Sequence, residues 1–132
     1  MSEAALLLKE ALGDLSPRHA IVLGSGLGGL ADEIENPTRF AFSELPGFPV
    51  GGVSGHHGSL VAGHLAGTPV VVLSGRVHYY EQGDAAAMRL PLETLAALGV
   101  ENLLLSNAAG SLHEDMPPGS VMLITDHINY SG

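Results

Sequence analysis

Apolar residues occur along the chain in short bursts, separated by stretches rich in glycine and proline. The first burst sets Leu6, Leu7, Leu8 and Leu12 among polar residues, which predicts an amphipathic helix from about Ser2 to Leu15. Ser16-Pro17 is expected to stop it, because proline cannot continue a helix. His19 to Leu23 is a compact aliphatic run, read as a buried strand, and a brief helical piece follows from Leu27 to Glu35, ending at Asn36-Pro37. Phe40 to Leu45 is expected to form a short strand ahead of the turn-rich loop Pro46 to Gly58. Ser59 to Leu65 and Pro69 to Leu73 flank Ala66-Gly67-Thr68, the length and composition of a hairpin turn.

Farther on, Asp84 can cap a helix running to about Leu98, with Gly99 closing it. Leu103 to Ser106 and Val121 to Thr125 complete the expected strands. Strands alternating with helices predict an α/β fold whose sheet is buried on both faces. There is no internal repeat, linker or low-complexity segment.

Composition narrows this picture. A chain of 132 residues is one domain's worth, and 45% hydrophobic against 14% charged residues suits a buried-sheet enzyme. With no cysteine, disulfides and cysteine-ligated metals are excluded. The N-terminal segment carries Glu3 and lacks the basic start of a secretory leader, which predicts a cytoplasmic protein; no apolar run approaches the roughly 18 residues of a membrane span. A formal charge of −9 argues against nucleic acid as a partner. The cations are only Lys9, Arg18, Arg39, Arg76 and Arg89, so an anion would be held by few side chains together with backbone N–H groups.

The candidate chemistry sits in the loops after the apolar runs. Gly24, Gly26 and Gly29 scan as the G-x-G-x-x-G of a dinucleotide-binding turn, and Glu44 lies about where the ribose-binding acid would fall. The context does not fit: Pro37 cuts the helix short, and Glu44 is followed by a loop. A tight turn is one alternative; a nest for a single phosphate, with Ser25 among free backbone donors, is the other. Ser54-Gly-His-His-Gly58 offers His56 and His57 between glycines, a poor metal site without acids at ligand spacing.

In Ser74-Gly-Arg-Val-His-Tyr-Tyr-Glu81, an extended backbone would put Arg76, His78 and Tyr80 on one side. Arg76 can then fork onto two phosphate oxygens, His78 can add a donor, and Glu81 can fix the His78 tautomer. Asn107-Ala-Ala-Gly110 has small side chains that let a ligand approach the backbone, although a compact turn explains it equally. His64 is read as a surface or packed histidine, and Asp126 to Tyr130 receives no role.

Taken together and in order, Gly24-Ser-Gly-Leu-Gly28, Gly55-His56, Gly75 to Glu81, Asn107 to Gly110 and Asp126-His-Ile-Asn129 resemble the N-terminal half of the trimeric purine nucleoside phosphorylases. The likeness runs from about Ala20 to the last residue, and the set is specific although each motif alone is not. It implies a three-layer α/β/α sandwich with a mixed central sheet, residues 1–132 forming the N-terminal half of one such domain. It implies phosphorolysis of purine nucleosides to base and ribose 1-phosphate or its deoxy form, with inorganic phosphate as co-substrate, no metal or organic cofactor, and a homotrimer.

By the same resemblance Ser25, His56, Arg76, His78 and the backbone of Ala108 hold phosphate, His78 sits beside phosphate and ribose as the catalytic residue, and Tyr80 contacts the ribose. His57 departs from the family, where alanine is common. Family members are about twice this long, and their purine-holding residues match nothing here, so this polypeptide alone is expected to be inactive. Two readings stand beside the leading one: a non-catalytic phosphate- or nucleotide-binding fragment, and a methylthioadenosine phosphorylase.

Overall fold

The computed structural model describes residues 1–50 and 58–130. Five strands form one mixed sheet in the order β2-β3-β4-β1-β5. They are β1 (His19–Leu23), β2 (Glu35–Ala41), β3 (Ser59–Leu65), β4 (Thr68–Ser74) and β5 (Asn102–Leu105). β1 lies parallel to both β4 and β5, whereas β3 runs antiparallel to β2 and β4.

Side-chain alternation divides the core into two layers. Ala20, Val22, Leu60, Ala62, Val71 and Leu73 face α1 (Glu3–Leu12) and α3 (Arg89–Ala97), contributing to a cluster that includes Leu8, Leu12, Phe42 and Leu95. Leu23, Val61, Val70 and Val72 point to the opposite face and pack on Ala31 and Ile34. The cover on that side is a 3₁₀ segment, Gly28–Glu33, in place of a full α-helix. Fully burying a Val or Leu side chain is worth about 1.5–3 kcal/mol, so the paired residues of β4 anchor both layers.

Several boundaries differ from expectation. The first helix stops at Gly13, with φ +55, before Pro17 is reached; its other end is capped by Ser2, whose hydroxyl accepts from the Ala5 N–H (3.2 Å) and pairs with the buried Thr94 hydroxyl (3.2 Å). Pro37 does not end a helix but lies within β2, at a register shift between Glu35 and Thr38, with Asn36 at φ +51. A proline is tolerated there because β2 is an edge strand. The expected strand from Phe40 to Leu45 gives way after Ala41 to a 3₁₀ turn, Phe42–Glu44, and Glu44 accepts the Ala41 N–H.

Asp84 caps a turn, accepting the Ala86 N–H (2.8 Å), and α3 begins only at Arg89. The β3–β4 hairpin is as expected: Ala66 and Gly67 both have positive φ, the mirror-image turn that matches strand twist.

Two expectations fail at the far side of the sheet. Leu103 to Ser106 was expected to be buried, yet β5 is exposed along its length: it is an edge strand paired only with β1, and neither core cluster includes its residues. Val121 to Thr125 forms no strand; Val121 is 95% exposed. High β propensity does not make a strand without a neighbour to pair with, and the run joins none of the five.

Candidate functional site

Parallel pairing aligns the C-terminal ends of β1, β4 and β5, so the loops that follow them emerge together. The antiparallel β3 adds its N-terminal end beside the end of β4, where Ser59 pairs with Ser74. The described loops after β1, β4 and β5 therefore meet at one end of the sheet, as ligand loops do at the carboxyl ends of strands in open α/β sheets.

Close backbone approach holds this edge together. A Cβ on Gly24 would lie 2.6 Å from the Ser106 carbonyl oxygen and 2.7 Å from the Asn107 Cα, so the glycine loop is pressed against the start of Asn107-Ala-Ala-Gly110. Gly75, at φ +116, would place a Cβ 3.1 Å from the Gly58 Cα. Gly24→Ala is expected to destabilise the chain by about 1–3 kcal/mol, since both obstacles are backbone and neither can swing aside. Urea denaturation checks it; an unchanged midpoint would mean that the contact is not tight.

Arg76 lies half-buried at the centre. Its Nη1 donates to the carbonyls of Leu23 (3.2 Å) and Ser106 (2.8 Å), which fixes the guanidinium across the ends of β1 and β5. Both partners are neutral. By contrast, Arg18 pairs with Glu101, Arg39 with Asp32 (3.6 Å) and Arg89 with Glu93 (2.7 Å). The carboxylates of Glu101 and Glu93 hold the Arg18 and Arg89 guanidiniums above their ordinary pKa, chiefly through the side-chain hydrogen bond. Among the described residues, Arg76 is thus the arginine whose charge no carboxylate offsets. A fixed, uncompensated cation beside free backbone donors attracts anions.

The expected alternation of Arg76, His78 and Tyr80 along an extended strand is not what forms. The backbone after Gly75 is irregular only as far as His78, and α2 (Tyr79–Gln82) then begins. The rings of His78 and Tyr80 still meet, stacked at 5.1 Å and 8° between planes, with Tyr80 78% exposed. Glu81 does not address the His78 ring: its Oε1 accepts the His78 backbone N–H (2.9 Å) and caps the short helix. The Val77 N–H donates to the Met88 Sδ (3.4 Å), tying this loop to the segment before α3.

Ser25 is exposed in the glycine loop, and Ala108 is exposed two residues beyond Ser106. His56 and His57 lie outside the described residues. The structure therefore gathers the Ser25, Arg76–His78 and Ala108 segments at one sheet edge, with Tyr80 at its rim. No group of acids and histidines suited to a metal occurs among the described residues. Sequence reasoning missed Ser106, taken simply as the end of a strand; its signal was a hydroxyl directly before a small-residue loop.

Comparison with known proteins bears on this arrangement. The profile of the phosphorylase superfamily matches residues 18–132. Purine nucleoside phosphorylase 1 of Geobacillus stearothermophilus is 48% identical over 132 residues, which make up 100% of this chain and 48% of that protein. The protein of the same name from Bacillus subtilis (strain 168) is 45% identical over the same shares. A solved purine nucleoside phosphorylase in complex with ribose-1-phosphate superposes with a TM-score of 0.78 at 38% identity, over 89% of this chain and 43% of that one. The chain spans about half the length of the curated relatives it matches.

Proposed function

The chain belongs to the phosphorylase superfamily, and from that premise we propose that it is the N-terminal half of a purine nucleoside phosphorylase, carrying the phosphate site and part of the ribose site. The reaction is purine nucleoside plus inorganic phosphate to purine base plus ribose 1-phosphate, or its deoxy form. The observation that carries the reading is Arg76, an arginine without a carboxylate partner among the described residues, bonded across the ends of β1 and β5 where the glycine loops converge.

The chemistry needs such a site. As the bond from C1′ to the purine breaks, the sugar takes on oxocarbenium character; a phosphate fixed beneath it stabilises that charge and then forms the new C1′–O bond. Ser25, His56, Arg76 and the Ala108 amide hold the phosphate, His78 stands between phosphate and ribose, and Tyr80, stacked on His78, offers its exposed face to the sugar. The reading assigns no metal or organic cofactor, as the family resemblance implies, and takes inorganic phosphate as co-substrate. The working enzyme is a cytoplasmic homotrimer in this reading. Among the described residues no helix is long and apolar enough to cross a membrane.

The test combines binding with turnover. Calorimetric titration of the chain with inorganic phosphate is expected to show one saturable site, and mixing the chain with a separately expressed C-terminal half of a relative is expected to restore base release from inosine or guanosine. Absence of saturable phosphate binding would defeat the reading.

A further inference from the structure

We propose that Ser106 is a positioning residue of the anion site: its hydroxyl replaces its own carbonyl in the β1–β5 ladder, and the carbonyl so released holds Arg76. The inference rests on the phosphate-site reading above. Val22 stands opposite Leu105, so continuing the register by one residue puts Leu23 opposite Ser106. In a regular parallel ladder, the N–H and C=O of a residue bond to the two neighbours of its opposite number, here Val22 and Gly24. The Ser106 N–H obeys that pattern, donating to the Val22 carbonyl at 3.0 Å. The Gly24 N–H does not: it donates to Ser106 Oγ at 2.9 Å, and Oγ donates in turn to the Val22 carbonyl at 3.1 Å.

The Ser106 carbonyl is thereby left out of the ladder and accepts Arg76 Nη1 at 2.8 Å. One hydroxyl therefore sets both the first amide of the glycine loop and the orientation of the guanidinium. Without it, the Gly24 amide can turn to the ladder acceptor, the Ser106 carbonyl oxygen, which lies 2.6 Å from where a Cβ on Gly24 would stand. Gly24 then competes with Arg76 for that oxygen, and the cation loses the stronger of its two anchors.

The experiment titrates inorganic phosphate into the chain and its Ser106→Ala, Ser106→Val and Ser106→Thr variants, with thermal melting recorded alongside. Valine and threonine share a shape and differ in the hydroxyl. Ser106→Ala and Ser106→Val are expected to bind phosphate about tenfold more weakly, the effect of roughly one hydrogen bond, while Ser106→Thr keeps wild-type affinity. Placed in an Arg76→Ala background, Ser106→Ala is expected to cause no further loss, because residues acting through one another are non-additive. Undiminished binding by a cooperatively melting Ala or Val variant would overturn the positioning role alone, as would additive losses or an absence of cooperative melting in both. No binding by the wild-type chain would overturn the phosphate site itself and this inference with it.

Discussion

Replacing Arg76 by alanine is expected to weaken binding of inorganic phosphate by about 10- to 150-fold, which corresponds to a charged hydrogen bond of about 1.5–3 kcal/mol. The side chain acts in two directions. Its Nη1 is committed to the carbonyls of Leu23 and Ser106, and in the proposed site the remaining guanidinium donors are the ones that would bind the anion. Alanine removes the cation and leaves both carbonyls without that donor. Arg76→Lys is expected to resemble alanine more than arginine, because a single ammonium cannot both bridge two strand ends and present a planar pair of donors. Calorimetry at fixed ionic strength reads the effect, and melting curves separate it from instability. Equal affinity in wild type and a stably folded Arg76→Ala would remove Arg76 from the site.

The second large effect concerns residues 1–132 tested by themselves. This polypeptide is expected to release purine base from inosine at least 10²–10³-fold more slowly, to an order of magnitude, than the same polypeptide joined by a C-terminal half; losing even one electrostatic donor to a developing charge has about that effect. The groups proposed for phosphate and ribose lie on loops at one end of the sheet, and the proposal assigns no residue to the purine. The surface points the same way. Leu104 and Leu105 of the edge strand are 59% and 66% exposed, and Leu123 and Ile128 are 84% exposed.

Apolar edges of this kind attract partners or aggregate. A dye that binds exposed apolar surface should fluoresce strongly with the polypeptide alone and weakly after the second half is added. Vigorous phosphorolysis by a soluble, mass-verified 1–132 polypeptide would show that the groups assisting base departure have been misplaced.

What could be read from sequence was local. The β3–β4 hairpin was legible because two apolar runs flank a short glycine turn, and β1 because a short aliphatic run has few other uses. The start of α3 was not, since Asp84 satisfies a turn as readily as a helix cap, and only tertiary packing decides between them. Pro37 suggested a break because its fit in β2 depends on an edge position and a register shift, both properties of the sheet. Val121 to Thr125 has the composition of a strand, but strand formation requires a partner. At the candidate site, the glycine loops and Arg76 stood out by residue type and spacing. The anchoring of Arg76 was hidden, because its partners are main-chain carbonyls of residues 53 and 30 positions away.

The place of β1 in the sheet has a kinetic consequence. It is the first strand to be synthesised, yet its neighbours on either side are β4 and β5. The β3–β4 hairpin can close within about 1–10 μs once both strands are available. β1 must wait for Ser74 to leave the ribosome, on the order of several seconds at roughly 5–20 residues per second. Such sequence-distant parallel pairing also slows folding after release, because the loop-closure entropy is lost before any contact compensates it. During that interval an interior strand of the sheet travels as a free apolar segment, and chaperones that hold extended chains would meet the nascent polypeptide at residues 19–23.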